Sequence, residues 1–181
     1  MPSPVGHMLA GVAAGWSVVG SAAASSAPES SRRALWREAV FFAALGALPD
    51  LDLLVGAHSG PTHSIGAAAL VAFCAAAIAA RLGLCRVRTT VLVLACGVAY
   101  GSHILLDWLS TDASPPIGIM ALWPFDTGYY ESDVHVFMAI SRRYYQGWTF
   151  IRQNVLAFAR ELAILTPPLI VALLIRSRRR E

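Results

Sequence analysis

The apolar positions of this chain gather into five long runs, and the stretches that separate and flank them hold most of its arginines. The runs are Gly6 to Ala24, Ala34 to about Pro49, Ser64 to Ala80, Thr89 to Leu109 and Leu156 to Ile175. A helix must stay apolar over roughly 20 residues to cross about 30 Å of hydrocarbon. The pattern therefore predicts an all-α, polytopic membrane helix bundle of about five spans, in a single integral membrane domain covering residues 1–181. The Pro49-Asp50 step cuts the second run short. The fifth carries Arg160 and Glu161 early and Pro167-Pro168 later, where a kink is expected. No positively charged stretch precedes the first run, so it does not read as a standard signal peptide.

Composition strengthens the membrane reading. Of 181 residues, 56% are hydrophobic and only 14% charged, against roughly 25% charged in ordinary soluble domains. The mean hydropathy is +0.58. Net charge is +3, and all 14 basic residues are arginine. A basic balance fits nucleic acid or an anionic membrane surface. Here the arginines cluster between apolar runs, so the lipid bilayer is the expected partner and nucleic acid is not. Arg32, Arg33 and Arg37 follow the first run, Arg81, Arg86 and Arg88 the third, and Arg176, Arg178, Arg179 and Arg180 the fifth. In a five-span topology these share one side, which places the C-terminus in the cytoplasm and the N-terminus outside. Segment 25–31 reads as a polar, turn-rich loop. Cys74, Cys85 and Cys96 include no CxxC pair, and Cys74 and Cys96, lying in apolar runs, read as small buried hydrophobes.

Polar residues collect at the opposite, outer end. His7 lies at the outer end of the first run, Asp50 and Asp52 at that of the second. His58 and His63 follow in the next loop, and His103 and Asp107 finish the fourth run. No basic side chain lies among them. Ionisable groups at membrane depth are costly and usually mark function, and a bound cation is the simplest compensation. His103 and Asp107, at i and i+4, share a helix face and can grip one metal. Asp50 and Asp52, at i and i+2, would point roughly 160° apart on a helix but the same way in an extended stretch. Pro49 disfavours helix at Leu48, so a break in the helix is expected there. Gly56 and Gly60 then allow a tight loop to His63.

The candidate metal ligands are His7, Asp50, Asp52, His58, His63, His103 and Asp107, with Asp50 and Asp52 also candidates for catalysis. Imidazole and carboxylate donors suit zinc foremost, with manganese or iron as alternatives. His7 fits an interhelical hydrogen bond as well as a ligand role, and His58 fits a ligand, a partner behind the ligands or a surface residue. Thr62 and Ser64 read as caps of the third helix. Glu131, Asp133 and His135 read as a solvated loop rather than a further site. The piece from Ser110 to Val155 is long for a connection in a compact bundle, which points to function or to helices of its own. Its Trp123, Tyr129, Tyr130, Tyr144, Tyr145 and Trp148 suit the membrane interface. The alternative is an outward-facing lid.

An ordered set of motifs then brings a family into view. Gly6-His7, LPDLD (Leu48 to Asp52), HSGPTHS (His58 to Ser64), GSHILLD (Gly101 to Asp107) and LWPF (Leu122 to Phe125) follow one another over residues 6–125. In this the chain resembles the bacterial and archaeal inner-membrane metal-dependent hydrolases of the YdjM type. That family is in turn distantly similar to the zinc-dependent phospholipase C and P1-type nuclease superfamily, all-helical phosphodiesterases with clustered zinc ions. The resemblance implies a prokaryotic inner membrane, ligand roles for Asp50, His63, His103 and Asp107, and His7 on a neighbouring metal. The chain departs from the family twice. Ser59 stands where the family's HRGxTHS has an arginine suited to phosphate, and the HxxxE of the soluble enzymes is missing near the C-terminus.

Three functions follow as expectations. The first is a metal-dependent hydrolase of a phosphoester or lipid-like substrate at the outer face, with Asp50 or Asp52 as ligand or general base. The second is a non-catalytic, metal-stabilised scaffold or partner-binding protein. The third, an ion transporter with a broken second helix, is disfavoured by inner halves made of Ala, Val, Leu and Gly. Neither HExxH nor GxSxG occurs, which removes the zincin and serine-hydrolase classes.

Overall fold

The computed structural model describes residues 1–22, 32–56, 58–85, 87–112 and 115–178. The polar segment 25–31, Arg86, Arg179 and Arg180 lie outside the described residues. Five α-helices make the fold: α1 (Pro4–Ser21), α2 (Arg32–Ala47), α3 (Ile65–Arg81), α4 (Thr89–Trp108) and α5 (Trp148–Arg178). Among the described residues there is no strand beyond two isolated bridges, Ser110 with Phe137 and Ile119 with Tyr130. By length and composition, α4 and α5 can each cross a membrane, while α3 is apolar but shorter. The all-helical expectation therefore holds, and by this measure two helices, rather than five, are long and apolar enough to cross a membrane.

Local chemistry sets the helix ends. Ser3 caps α1, its hydroxyl accepting from the Gly6 N–H at 3.0 Å, with Pro4 as the first helical residue. Ser64 caps α3 in the same way, accepting from Ala67 N–H at 3.0 Å, as the sequence predicts. α5 starts well before Leu156 and continues past Pro167 and Pro168.

α1 is the central helix, packed on α2, α4 and α5, while α3 lies against α4. Trp16, Val19, Phe42, Leu45, Ala76, Leu92, Ala95 and Cys96 form the main core. Leu70, Phe73, Ile78 and Leu94 face outward. Cys74 is exposed among them, contrary to expectation. Glycine allows α1 and α2 to touch backbone to backbone. A Cβ on Gly11 would fall 2.5 Å from the Phe42 carbonyl oxygen, and one on Gly46 would strike the carbonyl of His7. That approach brings the C-terminal end of α2 beside the first turns of α1.

The PDLD stretch decides between the two conformations left open. Leu48–Val55 is a 3₁₀ helix continuing from α2, with Pro49 in its first turn, rather than an extended strand. Proline is compatible with a helical N-terminus, since the N–H it lacks has no intrahelical partner there. At three residues per turn, Asp50 and Asp52 leave the axis in different directions. Gly56, at φ 73°, closes this helix in the left-handed region that glycine tolerates.

Candidate metal centre

Four elements converge at one end of the bundle: the start of α1, the 3₁₀ helix after α2, the short helical turn Pro61–His63 and the end of α4. They bring together His7, Asp50, Asp52, His58, His63, His103 and Asp107, all seven of the predicted site residues. Of these, His7, His63, His103 and Asp107 are buried to 4% exposure or less. His7 and His103 stack with ring centroids 3.7 Å apart. His103 Nε2 lies 3.1 Å from His63 Nε2, 3.1 Å from Asp107 Oδ2 and 3.6 Å from Asp50 Oδ1. His7 Nε2 is 3.3 Å from Asp107 Oδ1, and His63 Nε2 is 3.4 Å from Asp107 Oδ2.

Hydrogen bonds behind the rings decide which nitrogens face inward. His103 Nδ1 sits 2.7 Å from the Gly46 carbonyl oxygen. Since a carbonyl only accepts, Nδ1 carries the proton and Nε2 presents its lone pair to the cluster. His63 is arranged alike. Its Nδ1 faces Asp52 Oδ2 at 3.2 Å, leaving Nε2 toward His103, Asp107 and Asp50. Asp52 is fully engaged: Oδ1 faces His58 Nδ1 at 3.1 Å, and Oδ2 accepts from the Thr62 hydroxyl at 2.7 Å. The Tyr100 hydroxyl donates in turn to the Thr62 carbonyl at 2.6 Å. Asp52 and His63 lie between the helices, where these contacts shift both titrations. Burial alone would lower the His63 pKa, but the Asp50 and Asp52 carboxylates outweigh it and raise it to about 9. Burial alone would raise Asp52, but its bonds with His63, Thr62 and His58 lower it to about 2.

At the heart of the cluster, hydrogen bonding runs out. Both ring nitrogens of His7 and both carboxylate oxygens of Asp107 are buried without a hydrogen-bond partner. Buried polar atoms are normally satisfied, and an unsatisfied charged group is among the costlier defects a fold can carry. Three overlapping triads each present ligand atoms close enough to hold a metal ion: His7 with Asp50 and His103, Asp50 with His58 and His63, and His63 with His103 and Asp107. The donor chemistry therefore fits a divalent cation, and a cation would satisfy the orphaned atoms. Asp52 falls outside the triads, behind His63 and His58. His135 stands apart, its Nδ1 3.9 Å from Glu131 Oε1 in an exposed loop.

The connection after α4 roofs this end. Met120 N–H donates to the Ser59 carbonyl at 2.9 Å, Ile65 N–H to Ala121 at 2.9 Å and Gly66 N–H to Trp123 at 3.1 Å. The cover is thus hydrogen-bonded to the rim of the site. Phe125, Tyr144, Tyr145 and Trp148 project outward from it.

The bundle and its cluster define a class: an all-helical membrane protein with a buried His/Asp centre able to hold a metal ion. The chain belongs to the YdjM inner membrane protein family, whose family model matches residues 1–180. Comparison with curated proteins and with solved structures returned no match.

Two residues of this region escape a sequence reading. Thr62, expected as a helix cap, instead ties Asp52 to the turn that carries His63. Glu161 is buried at 1% exposure on α5 and hydrogen-bonded to the start of α1. An ionisable residue inside an otherwise apolar run is the signal that could have found it.

Proposed function

We propose that this protein is a membrane-embedded, metal-dependent hydrolase that acts on a phosphoester or lipid-like substrate at the outer membrane face. The observation that carries the reading is the set of buried atoms of His7 and Asp107 that make no hydrogen bond inside a ring of inward-facing imidazoles. His7, Asp50, His63, His103 and Asp107 would hold the cation, with zinc the best match to nitrogen and oxygen donors. The triads around His7 and around His58 share only Asp50, so Asp50 would be within reach of an ion held by either group. A divalent cation held by these residues would supply Lewis acidity.

The protein's own groups divide the remaining work. Asp50, at 19% side-chain exposure, is the most accessible carboxylate of the inner set and takes the ligand or general-base role. Asp52 holds the His63 and His58 rings in orientation. The exposed Phe125, Tyr144, Tyr145 and Trp148 seat the cover at the lipid interface, beside an amphiphilic substrate. All five helices cross the bilayer in this reading, with the arginines at the start of α2 and the end of α5 on the cytoplasmic side.

The test is elemental analysis of detergent-purified protein beside His103→Ala and Asp50→Ala, followed by phosphodiester and phospholipid substrates with and without chelator. Stoichiometric metal retained in both variants sinks the metal centre. One observation favours a second reading, a metal-stabilised scaffold. Ser59, buried and left-handed at φ 63°, stands where the HRGxTHS motif of the resembled family has arginine, so that position offers no cation. Metal bound without turnover of any phosphoester would select that reading.

A further inference from the structure

Three histidines surround Asp107, and two have their rings fixed from behind: His103 by the Gly46 carbonyl and His63 by Asp52. The third, His7, has no hydrogen bond at either nitrogen. Its aim must come from its stack on His103 and from the placement of α1 itself. Met1, just ahead of α1, is tied to Thr111 and Ile140, and Ser3, the cap itself, is held by one residue of α5. Glu161 Oε1 accepts from the Ser3 N–H at 2.7 Å, and Oε2 accepts from the Ser3 hydroxyl. That hydroxyl also accepts from Gly6 N–H at 3.0 Å, and the Ser3 carbonyl accepts from His7 N–H at 3.1 Å. Ser3 is thus the cap of α1 and the first rung beneath His7, and both of its donors end on Glu161.

Gly6 belongs to the same device. A Cβ there would fall 2.7 Å from Glu161 Oε2, so the Gly-His pair reads as two adjoining requirements. Glycine admits the carboxylate, and histidine faces the cluster. A carboxylate at a helix N-terminus is also favoured by the helix dipole.

We propose that Glu161 is a positioning residue for the metal centre: through Ser3 it fixes the first turn of α1 and so the aim of His7. The inference rests on the metal reading above. Groups behind the ligands typically set metal affinity by 10–100-fold. Full-length protein in detergent is titrated with Zn²⁺ against a chromophoric chelator and with Co²⁺ by visible absorption, as wild type, Glu161→Ala, Glu161→Gln and His7→Ala. Glu161→Ala is expected to bind zinc about 10–100-fold more weakly and to give a cobalt spectrum like that of His7→Ala. Glu161→Gln, which keeps an acceptor for the Ser3 N–H, is expected to recover most of the affinity. Wild-type affinity in Glu161→Ala overturns the proposal, as does a loss that leaves the cobalt spectrum unchanged, since that marks a purely structural role. If Glu161→Ala does not fold, Ser3→Ala carries the same test, because it removes the hydroxyl alone. Absence of metal from the wild type would instead fail the metal reading, and this inference with it.

Discussion

Two carboxylates are buried in this bundle at comparable depth and in opposite circumstances. Glu38 on α2, 2% exposed, is gripped by Arg176 of α5, with Nε donating at 3.0 Å and Nη2 at 2.6 Å. Asp107 on α4, 4% exposed, has only histidines around it and no hydrogen bond on either oxygen. At Glu38 the chain supplies the countercharge in a planar, two-pronged geometry. At Asp107 it supplies three imidazoles, two of them turned by outer contacts so that Nε2 faces the carboxylate. The first arrangement is closed. The second leaves a group of His and Asp atoms able to hold a cation, and that difference separates a clasp between helices from a candidate site.

The sharpest way to break the comparison is to empty the open end. His103→Ala removes a member of two of the three ligand triads. It is expected to abolish stoichiometric metal in the purified protein, read by elemental analysis, and with it any chelator-sensitive phosphoesterase activity. Next in size is Arg176→Ala at the closed end. Removing one partner of a buried pair leaves an uncompensated charge and typically costs about 3–5 kcal/mol. The expected outcome is a large fall in thermal stability in detergent with metal content unchanged. Metal loss at equal folded fraction would show that the two ends are not independent.

How far the sequence discloses this contrast depends on the range of the interactions involved. The apolar runs mark all five helices because hydrophobic length is a local property. His103 and Asp107 declare themselves as a pair because i, i+4 spacing is local too. The direction of Asp52 does not, because it turns on whether a proline-led segment runs extended or 3₁₀. It ran 3₁₀, and that sends the two PDLD carboxylates to opposite nitrogens of His63. Glu161 was least legible. Its partner Ser3 is 158 residues away, and nothing in either segment names the other. The residues of the cluster were therefore readable, while their division into inner and outer positions required the packing.

That division supports a smaller prediction. Asp52→Asn keeps the size of the side chain but weakens its hold on His63 and His58. Its expected effect is a 10–100-fold loss of zinc affinity, measured by chelator competition, with stoichiometry retained. Asp50→Asn should instead reduce stoichiometry, because Asp50 belongs to two triads and Asp52 to none. Equal behaviour of the two variants would erase the distinction between ligand and orienting carboxylate.

The smallest effect is expected at His135, which tests whether proximity of histidine and carboxylate alone makes a site. Its Nδ1 stands 3.9 Å from Glu131 Oε1, and the imidazole is 42% exposed. Water competes for both partners there, and no third ligand completes a triad among the described residues. Surface pairs of this kind contribute roughly 0–1 kcal/mol. His135→Ala should therefore leave zinc content, affinity and melting temperature at wild-type values. A fall in bound metal would place a second site in the connection after α4, and burial without hydrogen bonds would no longer be what distinguishes the centre around Asp107.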